Sequence, residues 1–286
     1  MPIQPRRKVL ITGAAGGMGR ACARLFGSQD DLVLTDVSDG PLQAFADELR
    51  RDGNNVTALA GSIGDDAVLA ALAAELVSET AGRAPFAVIH TAGLSPSLAD
   101  WQTIMDINLV ATEKLMRALE GVLSPGSVAV LIASSAGHLM PPMPDIDAVL
   151  ADPLQPGFMQ KVEAILDKMG APASPGGPGG ISYTLSKRAV ITMAQRRAID
   201  WGSRGARIVS ISPGSIDTPM GRSELEKTSG AKMLLDATPV GRIGMSMDIA
   251  MAAQFLASPA ASFISGTDLL VDGGGTVGMK LAMARG

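Results

Sequence analysis

The chain has 286 residues, of which 47% are hydrophobic and 18% charged, with a formal net charge of −4 and one cysteine. That is the composition of a globular protein long enough to bury a sizeable core, not of a disordered one. The acidic balance argues against nucleic acid as a partner, and a lone Cys22 excludes an intramolecular disulfide and any multi-cysteine metal site, so a reducing compartment and no metal are expected.

The first apolar run, Val9-Leu10-Ile11, follows Arg6 and Arg7 but stops at Thr12-Gly13, too soon for a secretory leader. No segment approaches the ~20 apolar residues of a membrane span, so a cytoplasmic protein without a membrane partner is expected. The run instead suits a strand buried on both faces of a parallel sheet. It leads into Gly13-Ala14-Ala15-Gly16-Gly17-Met18-Gly19 and then a helical pattern from Arg20 to Phe26. Strand, glycine turn and helix in that order are the context of a dinucleotide site. Glycines let the backbone approach a pyrophosphate, and the helix N-terminus offers unpaired N–H groups.

A second strand, Leu32 to Thr35, closes on Asp36, where a carboxylate can accept both ribose hydroxyls of adenosine. The same charge repels a 2′-phosphate and no arginine follows directly, so NAD is expected rather than NADP. The alternation continues: helix Pro41–Arg51, strand Val56–Ala60, helix Asp65–Thr80, strand Phe86–Ile89 ending in His90-Thr91-Ala92-Gly93, helix Ala99–Leu119, and strand Ser127–Ala133 ending in Ser134-Ser135. Such alternation predicts an α/β fold with a doubly wound, Rossmann-type parallel sheet and helices on both faces.

Residues 139–180 break the rhythm with Pro, Gly and Met, enclosing a helical pattern from Phe158 to Met169. An insert this long predicts a lid rather than a structureless loop, with Met140, Met143, Phe158 and Met159 as an apolar wall of a substrate cavity. It ends at Tyr183, the only tyrosine, which lies four residues before Lys187 at the start of a helical run to Trp201. That spacing places phenol and ammonium on one helix face, and a nearby ammonium lowers a phenol's pKa, so the pair is a candidate acid/base. Strand Arg207–Ile211, a polar and flexible stretch Arg222–Ala237, helix Asp248–Leu256, strand Leu269–Val271 and a turn Asp272–Gly275 complete a single domain, residues 1–286.

Taken together, Thr12-Gly13-x-x-x-Gly17-x-Gly19, Asp36, Ala92-Gly93, Asn108, Ser135, Tyr183-x-x-x-Lys187, Pro213-Gly214 and Ser265-Gly266 to Asp272-Gly273-Gly274 resemble, in order, the short-chain dehydrogenase/reductase family. The resemblance implies a catalytic tetrad of Asn108, Ser135, Tyr183 and Lys187. Ser135 would orient the substrate oxygen, Tyr183 move the proton, Lys187 lower the phenol pKa and hold the nicotinamide ribose, and Asn108 anchor a water. It implies Ile216 and Thr218 at the nicotinamide carboxamide. Where the family has an aspartate near adenine, this chain has Gly61-Ser62-Ile63, so the Ser62 side chain and the Ile63 backbone take that place. His90 is expected to be structural, because Tyr183 already fills the acid/base role.

The long Ser135–Tyr183 separation is similar to the bacterial 3-alpha-hydroxysteroid dehydrogenase/carbonyl reductase branch. It implies a bulky apolar alcohol or ketone, steroid- or terpenoid-like. That branch implies a homo-oligomer, a dimer through the last strand rather than a tetramer, with the insert obstructing the Tyr-Lys helix face. The expected function is NAD-dependent interconversion of a secondary alcohol and a ketone. A 3-oxoacyl-thioester reductase is opposed by Asp36 and the acidic balance, and a catalytically silent NAD-binding regulator by the intact tetrad.

Overall fold

The computed structural model of the protein describes residues 6–77, 84–174 and 176–285. The first half runs β1 Lys8–Thr12, α1 Gly17–Gly27, β2 Asp31–Asp36, α2 Asp39–Arg51, β3 Val56–Ala60, α3 Asp66–Leu76 and β4 Ala87–His90. Residues 78–80 of the expected helix Asp65–Thr80 lie outside the described residues, as does Pro175 of the insert. Next come α4 Trp101–Met105, a π-helical turn Asp106–Val110, α5 Ala111–Glu120, β5 Val128–Ile132 and a 3₁₀ turn Ser135–His138. The insert holds α6 Pro144–Leu150 and α7 Phe158–Lys168, followed by the long α8 Gly177–Ser203. The chain then forms β6 Arg207–Pro213, β7 Ile216–Asp217, α9 Pro219–Lys227, α10 Ser229–Asp236, β8 Gly244–Met245, α11 Ser246–Ala257, β9 Asp268–Val271 and α12 Gly275–Arg285.

Seven strands make one parallel sheet in the order β3-β2-β1-β4-β5-β6-β9. The inner strands β1, β2, β4 and β5 are buried on both faces and read as nearly unbroken apolar runs. Along β1, Leu10 packs on one side with α3, α5 and α8, while Val9 and Ile11 pack on the other with α1, α2 and α11. The strand order reverses between β1 and β4, where the connections leave in opposite directions and open a crevice at the C-terminal strand ends.

Three segments differ from expectation. Residues 222–237 are not a flexible stretch but belong to α9 and α10, whose first turns are capped by the Thr218 and Thr228 side chains accepting from Gly221 N and Ala231 N. A cap satisfies orphan amides and stabilises a short helix. Beyond the expected Asp272 turn, α12 starts where Asp272 accepts from Gly274 N (2.9 Å) and Thr276 N (2.8 Å). Met140, Met143, Phe158 and Met159 do not form the expected apolar wall of the cavity: Phe158, with Val162 and Leu166, is buried in the core against the α5–α8 side, and Met140, Met143 and Met159 pack on it. Arg188, next to Lys187, grips Asp147 of α6 with two bonds of 2.7 Å. Such a bidentate, half-buried pair fixes geometry as well as adding stability.

Candidate functional site

The glycine turn between β1 and α1 stands at the crevice. Gly13 has φ +64°, and a Cβ there would lie 2.8 Å from Ala92 N, so only glycine fits between the two loops. The α1 N-cap, Gly16, caps with no side chain, leaving the first helical amides for an anion. Asp36 ends β2 beside this turn: Oδ2 accepts from Ala15 N and Oδ1 from Ser38 N, each at 3.0 Å. A carboxylate offers about four lone-pair sites, so each oxygen retains one for a ribose hydroxyl. Ser62 Oγ accepts from Gly64 N (3.1 Å) and keeps its own hydrogen to donate, whereas the Ile63 side chain is buried in the core. The donor set and the glycine cradle therefore fit a dinucleotide.

The crevice opens into a cavity of about 930 Å³, within the size of small-molecule sites. Met18, Gly93, Pro213, Gly214, Ile216 and Thr218 line the part nearest the glycine turn, and Ser134, Ser135, Tyr183 and Lys187 a second wall. Leu139, Gly176 and Gly180 are what the insert adds to the lining; the cover is formed by α9, α10 and α12, through Met220, Leu225, Met233, Leu234 and Met279.

The structure brings Asn108, Tyr183 and Lys187 together. A Cβ on Gly93 would be 3.2 Å from both Asn108 Oδ1 and Lys187 Nζ. Asn108 sits in the π-helical turn, a feature frequent at functional sites. Its Oδ1 accepts from Leu94 N (2.7 Å), and its Nδ2 donates to Leu94 O (2.9 Å) and Ser186 Oγ (3.2 Å). Both amide hydrogens are thus engaged by the protein, and the side chain anchors the Leu94 loop.

Two expectations need correction. Of the two serines it is Ser134, not Ser135, whose hydroxyl acts on the Tyr183 phenol and works to lower its pKa, while Ser135 is 1% exposed inside the 3₁₀ turn. Backbone geometry decides this. Ser134 is extended and N-caps that turn through a bond from Ala136 N (3.2 Å). Gly137 then lies directly on α8, where a Cβ would meet Arg188 N at 2.9 Å. The second correction concerns the phenol. Burial pushes Tyr183 up to about 12, opposed by the Ser134 bond and reinforced by the charge of Glu224. Lys187 Nζ lies 5.9 Å from the ring centroid and donates to Ile132 O (3.0 Å). Burial lowers Lys187 to about 8, so it is an ammonium at neutral pH. Glu224 was not anticipated from the sequence; on α9, it also lines the cavity.

His90 is structural. Thr112 Oγ1 donates to Asn108 O (2.9 Å), so His90 Nε2–H donates to Thr112 Oγ1 (2.8 Å) and Nδ1 accepts from Thr12 Oγ1 (2.7 Å). Burial, with the Lys187 charge adding to it, holds the imidazole down at about 3. An unfolded histidine takes a proton near ~6.5 that this folded one refuses. The stabilisation is therefore complete above about 6.5 and is lost progressively as pH falls toward 3. Between pH 7.5 and 4.5, chemical denaturation should show the wild type losing on the order of 2–3 kcal/mol more than His90→Gln. Equal pH slopes in the two proteins would count against this account.

Among the described residues, no helix is long and apolar enough to cross a membrane, and no group of three or more His, Cys, Asp or Glu could hold a metal. Comparison with known proteins gives consistent matches. Residues 7–144 match the family model described as short chain dehydrogenase, and residues 148–276 the one described as enoyl-(acyl carrier protein) reductase. A short-chain dehydrogenase/reductase of Alternaria brassicicola is 31% identical over 285 residues, covering 94% of this chain and 95% of that protein. A galactitol 2-dehydrogenase (L-tagatose-forming) of Cereibacter sphaeroides is 30% identical over 276 residues, covering 93% and 94%. The crystal structure of a short-chain dehydrogenase/reductase, glucose/ribitol dehydrogenase, from Brucella melitensis superposes with a TM-score of 0.72 at 25% identity, covering 96% of this chain and 99% of that one.

Proposed function

We propose that this chain, which belongs to the short-chain dehydrogenase/reductase family, is an NAD-dependent oxidoreductase that interconverts a secondary alcohol and a ketone. The observation that carries the reading is that Ser134, Tyr183 and Lys187 line one wall of the cavity that adjoins the glycine turn. NAD, when bound, supplies the hydride acceptor and NADH the donor. The chain's own groups do the rest. Ser134 donates a hydrogen bond to the substrate oxygen and orients it. Tyr183, which holds its proton at neutral pH, gives it to a carbonyl oxygen in reduction; in oxidation the phenol first releases its proton to solvent, and the phenolate takes the proton of the substrate hydroxyl. Lys187 keeps a positive charge beside the reacting oxygen. The cover of α9, α10 and α12 excludes water. Its Met and Leu side chains suit a bulky carbon skeleton, as the branch resemblance implies. A screen of secondary alcohols with NAD, read as NADH absorbance, tests the reading; no NADH from any alcohol and no NADH consumption with any ketone would overturn it.

Selection of NAD over NADP rests on Asp36. Its carboxylate occupies the end of β2 with free lone pairs, and a 2′-phosphate there would meet a like charge. Asp36→Ala should weaken NAD and improve NADP. Charge-assisted bonds contribute about 1.5–3 kcal/mol, so the ratio of kcat/KM values for the two cofactors should move by about tenfold or more. An unchanged ratio would sink the assignment.

We further propose a homo-oligomer assembled through β9. This is an edge strand, and Leu269 and Leu270 on it, Met251 and Phe255 on α11, and Phe263 between them are exposed apolar side chains. The insert covers part of α8, the face through which a tetramer would be built. Sedimentation of a dimer supports this, and a monomer or tetramer opposes it.

A further inference from the structure

We propose that His138 is a positioning residue for the reaction: its imidazole ties the turn that carries Ser134 to β9 through Asp268, and so sets where the Ser134 hydroxyl meets the substrate oxygen. This rests on the alcohol–ketone reading above and on the place of Ser134 in it.

Ser134 and His138 are the two ends of one tight turn. Gly137 N donates to Ser134 O (3.0 Å) and Leu139 N to Ala136 O (3.1 Å), so a shift at one end is passed to the other. On one side the turn rests on the α8 backbone, at Gly137. On the other, His138 Nε2–H donates to Asp268 Oδ2 at 2.8 Å, the imidazole being the donor because an ionised carboxylate only accepts. Among the described residues this is the only hydrogen bond made by a side chain of residues 135–138.

Asp268 is a fixed point for that bond. It opens β9 in register with Ser210 of β6, and Ser210 Oγ donates to its Oδ1 at 2.5 Å. Its side chain is 5% exposed, and among the described residues His138 and Ser210 are the only donors to it, one for each oxygen. Without the imidazole, Oδ2 would be left unpaired where little water reaches, which is costly. The carboxylate therefore draws His138 to one place, and the turn with it. Ser134 lines the cavity and His138 does not, so His138 acts through the serine and not on the substrate. A misplacement of about 1 Å in a reacting geometry can cost on the order of 10²-fold in rate, so a tie four residues away is enough to matter.

The test is a double-mutant cycle on kcat with NAD and an alcohol, joined to amide hydrogen exchange over residues 134–139. His138→Ala should lower kcat by about tenfold or more while the affinity for NAD is little changed. His138→Gln should recover most of the loss, because its Nε2–H still donates to Asp268. In a Ser134→Ala background, His138→Ala should change kcat by no more than about twofold, since two changes that act through one group do not add. The turn amides should exchange about tenfold or more faster in His138→Ala than in wild type, and His138→Gln should restore their protection. If His138→Ala does not fold, His138→Phe combined with Asp268→Leu takes its place, removing the bond without leaving a carboxylate unpaired. If alcohols are oxidised but kcat is unaffected, or falls equally with and without Ser134, the positioning role is overturned and the oxidoreductase reading stands. If no alcohol is oxidised but the turn loses protection in His138→Ala and regains it in His138→Gln, the tie on Ser134 is upheld and the oxidoreductase reading falls. If no alcohol is oxidised and the turn exchanges as in wild type, the inference is wrong as well.

Discussion

Tyr183→Phe is expected to lower kcat by about 10²–10⁴-fold for any alcohol or ketone the protein turns over, with NAD affinity and Tm little changed. The substitution removes one oxygen. The ring stays on α8 among the same neighbours, and the glycine turn and Asp36 are on other elements. What is lost is the one phenolic proton of the chain. Lys187, Ser134 and His90 do not replace it at neutral pH. Lys187 is held on Ile132 O, Ser134 hydrogen-bonds no base among the described residues, and His90 is sealed between two threonines. Retention of more than half of the wild-type kcat would remove Tyr183 from the mechanism.

The parts of this site that were legible in the sequence are those set by short-range rules. Parallel strands buried on both faces read as unbroken apolar runs, so β1, β2 and β5 were found to within two residues. The glycine turn followed from its place between strand and helix, and Tyr183 and Lys187 from a spacing of four. What the sequence concealed depends on tertiary packing. Helix α8 begins at Gly177, ten residues before Lys187, through a Gly-Pro-Gly-Gly run whose propensity opposes a helix. Pro178 is tolerated there as a first-turn residue, and the segment is carried by the helix that follows. The π-helical turn at Asn108 was read as ordinary helix, because a single wide turn leaves no trace in apolar periodicity. The methionines of the insert suggest a cavity wall, yet methionine fills core gaps as readily as it lines pockets, and here Met140, Met143 and Met159 pack on the core. Glu224 was passed over in a stretch that looked polar, since only the folding of α9 over the crevice turns that carboxylate inward.

Ser134 and Ser135 show the same limit at the scale of one residue, and they yield the second large effect. Ser134→Ala is expected to reduce kcat by about 10²–10³-fold, the loss typical of one donor aimed at a developing oxyanion. Ser135→Ala should leave kcat within an order of magnitude of wild type. Adjacent side chains at a strand end point to different sides, and the sequence Ser-Ser-Ala-Gly does not say which faces the cavity. The turn decides it: Gly137 rests on the α8 backbone, Ser135 is enclosed, and the half-buried Ser134 reaches the phenol. A second readout separates this role from a loss of local structure. Because Tyr183 is the only tyrosine, the tyrosinate absorbance of the folded protein reports that one residue. The Ser134 hydrogen bond holds the phenol below where burial alone would put it. Ser134→Ala should therefore move the tyrosinate midpoint to higher pH, and Ser135→Ala should leave it in place. A larger kcat loss in Ser135→Ala, together with a tyrosinate midpoint that shifts in that variant alone, would return the role to Ser135.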